Sequence, residues 1–254
     1  MIKPALVLPL HDTDGLIFSH LAEVTPSLKE IFSRTFISIT PPTAAEQPER
    51  VARLQGDPFF QLNFNAPDTL PGHHFVAAYR NAVANSRPAQ MLHLCTVDRV
   101  IYALQSHHRA QFLADIQTTS AQTKPVLFQR SSLAWDTHPQ NYRALETIGS
   151  QVGQLLFDKQ LDFFWCHLVI QTQQLGHILP QVKAVDFSML AEIILAIKDD
   201  LQTQDVDWLA WEDPYIFSQD AFAFKQDREA SQQETRKRLA YLIPVLQLLL
   251  ETTA

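Results

Sequence analysis

Glycine is scarce in this chain: six in 254 residues, at positions 15, 56, 72, 149, 153 and 176. None of them forms a GxGxxG after a strand or a GxxxxGK[ST] loop. The glycine-rich dinucleotide fingerprint and the P-loop, both of which need backbone to approach phosphate closely, are therefore excluded. A GxSxG nucleophile elbow is missing as well. Cysteine is nearly absent, with only Cys95 and Cys166. They lie far apart in apolar runs, with no paired ligands at zinc-finger spacing, so the sequence predicts no structural zinc, and two buried thiols fit a reducing cytoplasm. Basic excess is missing too. The formal net charge is −7, against a dedicated nucleic-acid face, and the one dense basic cluster, Arg236-Lys237-Arg238, reads as one face of a terminal helix. No apolar run reaches the length of a bilayer span, and MIKPALVLPL has neither the h-region nor the cleavage site of a signal peptide. The expectation is a soluble, cytoplasmic protein that does not insert in membranes and binds no nucleic acid.

What is present is a globular composition, 46% hydrophobic and 19% charged, without internal repeats or low-complexity linkers. Short apolar runs alternate with segments of helical spacing. Ala5 to Leu10, Phe36 to Ile39, Gln61 to Asn65, Met91 to Cys95, Pro125 to Phe128 and Asp207 to Trp211 read as strands, and Phe163 to Val169 as an aromatic strand or loop. Helices are expected over 16–32, 47–54, 74–84, 107–117, 141–157, 173–182, 188–201, with Ser188 as N-cap, and 219–250. This alternation predicts an α/β protein, a three-layer α/β/α sandwich on a mainly parallel central sheet. No break in composition divides it, so residues 1–254 are expected to form one domain, richer in helix from about 135.

The chain is organised around MLHLCTVDRVIYAL, Met91 to Leu104, which reads as strand, charged tip, helix. Ligands of open α/β sheets bind at the carboxyl ends of strands, and Asp98 with Arg99 at such a tip suits a metal ion, a phosphate, or each other. A second candidate is Asp12-Thr13-Asp14-Gly15 after the first strand. It resembles the DxDG signature of haloacid-dehalogenase-type phosphatases, which implies a nucleophilic Asp12, an acid/base Asp14 and Mg²⁺, with Thr40 as the second motif. The alternative there is a polar turn capping a helix. The later phosphatase motifs do not follow.

The order of elements from about Leu6 to Phe217 resembles a GT-A-fold nucleotide-diphospho-sugar transferase. The resemblance implies a nucleobase loop at Pro9, His11 and Asp12, a nucleoside contact at Thr40, and a glycine-containing loop at Gly72. It further implies a metal-binding DxD in which Thr96 replaces the first Asp and Asp98 remains, with Arg99 and Arg130 on the donor phosphates. Mn²⁺ or Mg²⁺ is the implied cofactor, and a nucleotide sugar and an acceptor of unknown kind are the implied partners. Trp165, His167 and Trp211 would face the acceptor, Glu192 would be an inward-facing acid, and Glu212 or Asp213 would deprotonate the acceptor hydroxyl. Trp208 is a further candidate for a sugar-stacking wall, against the commoner role of a core aromatic. Three readings stand at this point: a glycosyltransferase, an Asp12/Asp14 phosphatase, and a non-catalytic protein with a transferase-like fold, which Thr96 keeps open.

Overall fold

The apolar run at the amino end becomes a strand whose side chains alternate between two cores, the consequence of a two-residue repeat buried on both faces. Ala5 and Val7 enter one core and Leu6, Leu8 and Leu10 the other, all without exposure. The structure, a computed structural model, describes residues 3–164 and 167–252. Its elements begin with β1 (Ala5–Leu10), α1 (Leu16–Ile31), β2 (Thr35–Ile39), α2 (Pro41–Glu46), α3 (Pro48–Gly56) and β3 (Phe60–Phe64). They continue through α4 (Pro71–Asn85), β4 (Met91–Leu94), α5 (Val97–Gln105), α6 (Arg109–Thr119) and β5 (Val126–Arg130). Next come α7 (Ser132–Thr137), α8 (Gln140–Phe157), β6 (His167–Gln171), α9 (Thr172–Ile178) and α10 (Ser188–Ile197). The last elements are β7 (Gln202–Val206), α11 (Asp213–Ile216), α12 (Ala221–Ala230) and α13 (Gln232–Thr252).

The seven strands form one sheet in the order β3-β2-β1-β4-β6-β5-β7. Every pairing is parallel except those of β6, which runs against both β4 and β5. Helices α4, α9, α10 and α13 cover one face; α1, α5 and α6 cover the other. The predicted three-layer sandwich with a mainly parallel sheet is what the chain forms.

Several local expectations are corrected. The last strand is the polar Gln202–Val206, and the apolar Asp207–Leu209 that follows is a 3₁₀ turn whose Trp208 and Leu209 are buried. An edge strand is half solvated and tolerates polar residues, so hydrophobicity pointed to the wrong five positions. Pro41 and Pro42 start α2 as well as ending β2, because proline fits the first helical turn. Ser188 lies inside α10; Asp186 accepts its N–H at 2.8 Å and its hydroxyl at 2.6 Å. Glu192 turns away from the cleft and accepts the N–H groups of Lys183 and Ala184 at 2.9 and 3.0 Å, fastening a loop. Among the described residues no helix is long and apolar enough to cross a membrane.

Candidate functional site

Three parallel strands deliver their carboxyl ends to one side of the sheet, and two cavities open there. The first, of about 610 Å³, is lined by Pro9 and His11 after β1, Thr40 after β2, His74 on α4, and Thr96 and Asp98 after β4. His11 Nδ1 lies 2.9 Å from Thr40 Oγ1, which lies 2.8 Å from Thr43 Oγ1. Beside His74, Asn65 Nδ2 donates to Ser38 Oγ at 2.5 Å and lies 2.6 Å from His74 Nδ1, polar contacts that no local pattern announces.

The second cavity, of about 380 Å³, shares Thr96, Asp98 and Asp213 with the first and extends beneath α12 and α13. Aromatic residues wall it, among them Tyr142, Trp211 and Tyr241, and Arg228, Lys237 and Arg238 stand along it. Trp211 lies parallel to Phe224 at 5.5 Å, and its N–H donates to Thr137 Oγ1 at 2.7 Å. Arg238 caps the Tyr142 ring at 3.7 Å and pairs with Glu146 at 2.9 Å; Arg228 pairs with Glu234 at 2.6 Å. The cluster read from sequence as one face of a terminal helix thus sends Lys237 and Arg238 into a cavity. That the cavity is there depends on where α13 packs, which no local pattern reports.

Asp98 and Asp213 are half-buried at the junction of the two cavities. Burial raises the Asp213 carboxyl above its usual range, and the nearby Asp98 raises it further. The Asp98–Arg99 pair read at the strand tip divides: Arg99 is fully buried and its Nη2 lies 2.9 Å from Glu212 Oε2, while Nη1 donates to Leu209 O at 2.9 Å. Arg99 therefore holds the Leu209-to-Asp213 segment from inside the protein, away from any donor phosphate. Burial pushes Glu212 up to about 8, against the attraction of Arg99 and with the help of Asp98 and Asp213.

This shift has a sign in stability. Between the ordinary 4.5 and about 8 the folded chain keeps a proton that the unfolded chain has released. The stabilisation is complete below that window and is lost as pH rises through it, with a slope of at most about 1.4 kcal/mol per pH unit. Glu212→Gln is expected to remove this slope. Urea midpoints measured from pH 5 to 9 should converge or cross for the two proteins; parallel curves would contradict the assignment.

The other expected site residues lie elsewhere. Asp12 is buried, and its carboxylate accepts the N–H of Gly15 at 3.1 Å and of Phe18 at 2.7 Å, capping α1 as the polar-turn reading holds. Asp14 accepts the N–H of Leu16 at 3.0 Å in the same turn. Gly15, with φ 80°, supplies the left-handed residue that lets the chain enter the helix. The Asp12 oxygens are thus turned to backbone rather than to a nucleobase or a phosphoryl group. Asp12→Ala is expected to cost about 1–2 kcal/mol by urea denaturation, and p-nitrophenyl phosphate turnover should stay at background. Turnover that vanished in Asp12→Asn would restore the phosphatase reading.

Gly72 is buried where a Cβ would stand 2.4 Å from Asp186 O, so its role is close backbone approach between α4 and the loop before α10. Arg130 is buried, donating two hydrogen bonds to Asp162 and a third to Glu146, and does not line the first cavity. His167 is fully buried against Trp208 and takes no part in the cleft, and Trp208 itself is a core residue whose Nε1 donates to Asp115 at 2.8 Å. Trp165 lies outside the described residues.

No family model matches the chain, and no curated protein matches it by sequence. Solved structures do. A mycobacterial protein aligns over 82% of this chain and 66% of its own, at 13% identity and a TM-score of 0.51. Glucosyl-3-phosphoglycerate synthase from Mycobacterium tuberculosis, in complex with Mn²⁺, UDP-glucose and phosphoglyceric acid, aligns over 80% and 69% at 11% identity and a TM-score of 0.50. 4-diphosphocytidyl-2C-methyl-D-erythritol synthase from Anaerococcus prevotii aligns over 89% and 96% at 11% identity, with a TM-score of 0.48. At these identities the likeness is one of architecture. The fold is GT-A-like, with the cleft at the carboxyl ends of β1, β2 and β4.

Proposed function

We propose that this chain is a glycosyltransferase that moves a sugar from a nucleoside-diphosphate donor to the hydroxyl of an anionic acceptor. The observation that carries the reading is the pair of cavities joined at Thr96, Asp98 and Asp213. Two substrates exchanging one group need two pockets with a common border, and the border is where charge must be managed. The first cavity, with His11, Thr40 and His74, takes the nucleoside and diphosphate. The second takes the acceptor. Of its four cations, Arg99, Arg228 and Arg238 pair with Glu212, Glu234 and Glu146, which leaves Lys237 to face a ligand, although the whole chain carries −7. A carboxylate or phosphate on the acceptor suits that cation.

A divalent cation fits the border. Thr96 Oγ1 is a buried hydroxyl oxygen with no hydrogen-bond partner among the described residues, and Asp98 shares the cavity wall with it. These hard oxygens, completed by those of the donor diphosphate, make a donor set of the kind Mn²⁺ or Mg²⁺ takes. When bound, the cation neutralises charge on the departing diphosphate. Asp213 accepts the acceptor's proton as the acceptor oxygen bonds to the anomeric carbon and the bond from that carbon to the diphosphate breaks. Its raised affinity for a proton suits a general base. The Arg99–Glu212 pair positions Asp213 from behind. With both thiols in apolar runs, the reaction is assigned to a reducing cytoplasm.

A thermal-shift panel of UDP-, GDP- and ADP-sugars with and without Mn²⁺ tests this. One donor series should raise Tm, and more so with the metal. Once turnover is found, Lys237→Ala should raise KM for the acceptor and leave KM for the donor unchanged. No shift with any nucleotide would sink the transferase reading and favour a non-catalytic role for the fold.

A further inference from the structure

Away from the cleft, three side chains with metal-binding atoms meet inside the sheet. His93 and Cys95 are two residues apart on one strand line, so both point to the same face. In the antiparallel pairing of β4 with β6, Leu94 stands opposite Leu168. One residue further along that register, Cys95 faces His167, which in turn pairs with Phe128 on β5. The sulfur and one nitrogen from each imidazole all lie within 4.8 Å of one another. A cation at about 2.0 Å from nitrogen and about 2.3 Å from sulfur would draw them in by roughly 1 Å.

The surroundings explain why the two imidazoles need a partner. His93 and His167 have no exposure and Cys95 has 1%. The His93 ring lies 6.0 Å from Phe32, 6.3 Å from Phe112 and 5.8 Å from Phe128, and His167 lies 5.4 Å from Trp208. None of the four ring nitrogens has a hydrogen-bond partner among the described residues. Two imidazoles in an aromatic shell with nothing to bond are unfavourable, and a shared cation would take one lone pair from each.

We propose that His93, Cys95 and His167 form a structural site for one thiophilic d¹⁰ cation, monovalent copper or zinc, taken up as the chain folds. The Cys95 thiolate alone cancels the charge of Cu⁺, and three soft or borderline ligands satisfy it. Zn²⁺ would keep one uncompensated positive charge in a dry pocket and requires a fourth ligand. Either ion ties β4, the strand that carries Asp98, to its antiparallel neighbour. With the site closed to solvent, the metal enters before the sheet closes and leaves only when it opens. The sequence expectation of no structural zinc rested on linear spacing; the convergence here comes from strand pairing. Nothing in this inference depends on sugar transfer.

The test is metal analysis of the full chain expressed with added copper or with added zinc. Metal per chain is measured after native dialysis against EDTA and bathocuproine disulfonate, then again after unfolding in guanidinium with the same chelators. The expected result is close to one equivalent held natively and released on unfolding. Copper identifies the three-ligand neutral site, and zinc identifies one completed by a further ligand. Expression with Co²⁺ should give a thiolate-to-cobalt charge-transfer band that Cys95→Ser abolishes. Less than about a tenth of an equivalent from either preparation overturns the proposal, as does a band that survives Cys95→Ser. If that variant fails to fold, the metal content of the wild-type chain decides.

Discussion

Replacing Arg130 by alanine is expected to lower the unfolding free energy by about 3–5 kcal/mol, the usual cost of stripping one partner from a buried ion pair. Its Nε and Nη2 donate to Asp162 at 2.8 and 2.9 Å, and its Nη1 to Glu146 at 2.7 Å. Glu146 in turn accepts from Arg238 on α13 at 2.9 Å, and the Arg130 guanidinium lies 3.5 Å from the Trp135 ring centroid. One planar fork therefore joins β5, α7, α8 and the segment before β6, with α13 attached through Glu146. Lysine carries the charge but cannot reproduce the fork, so Arg130→Lys should recover only part of the loss. Urea denaturation at pH 7 checks both variants. A loss below 1 kcal/mol for Arg130→Ala would mean that solvent reaches the carboxylates and the network adds little. The fork also fixes the wall of the second cavity. Arg130→Lys should therefore raise acceptor KM while leaving nucleotide-induced thermal shifts intact.

Asp98→Asn is expected to lower kcat by roughly 10²–10³-fold, the range seen when one preorganised electrostatic group is removed from a reaction centre. The isosteric change keeps the hydrogen bond that Asp98 Oδ1 accepts from Arg99 N at 2.9 Å. Stability should therefore stay within about 0.5 kcal/mol. The added thermal shift from Mn²⁺ in the presence of nucleotide should vanish, and shifts from nucleotide alone should persist. Activity within threefold of wild type would remove Asp98 from the chemistry. Thr96→Asp, which restores the second carboxylate of a DxD, should strengthen the Mn²⁺ effect, since Ca²⁺- and Mg²⁺-like ions gain affinity with ligand charge.

Much of the architecture was legible because it rests on burial patterns that are local. The runs at Ala5–Leu10 and Met91–Leu94 are apolar at every position or nearly so, which marks strands buried on both faces. The switch from β4 to a charged tip placed Asp98 at the mouth of the cleft. The placements that failed share a cause. Arg99, Arg130 and Glu212 are ionisable groups that a sequence reading assigns to ligands, yet they are buried and paired with one another or with partners more than ten residues distant. A charged side chain looks the same in sequence whether it meets substrate or a counter-ion. Asp12 shows the same ambiguity at short range: the turn that could hold a nucleophile is also the turn that caps α1.

By itself the sequence determined the layered α/β class, the alternation of strand and helix, and the exclusion of glycine-rich phosphate loops, because periodicity and composition are properties of neighbouring residues. Only the tertiary structure decided that β6 runs backwards and that α13 closes a cationic second cavity. It also brought His93, Cys95 and His167 together across two strands. Those outcomes depend on which distant surfaces bury each other, and the energy of that choice is spread over the whole core rather than written in any one segment.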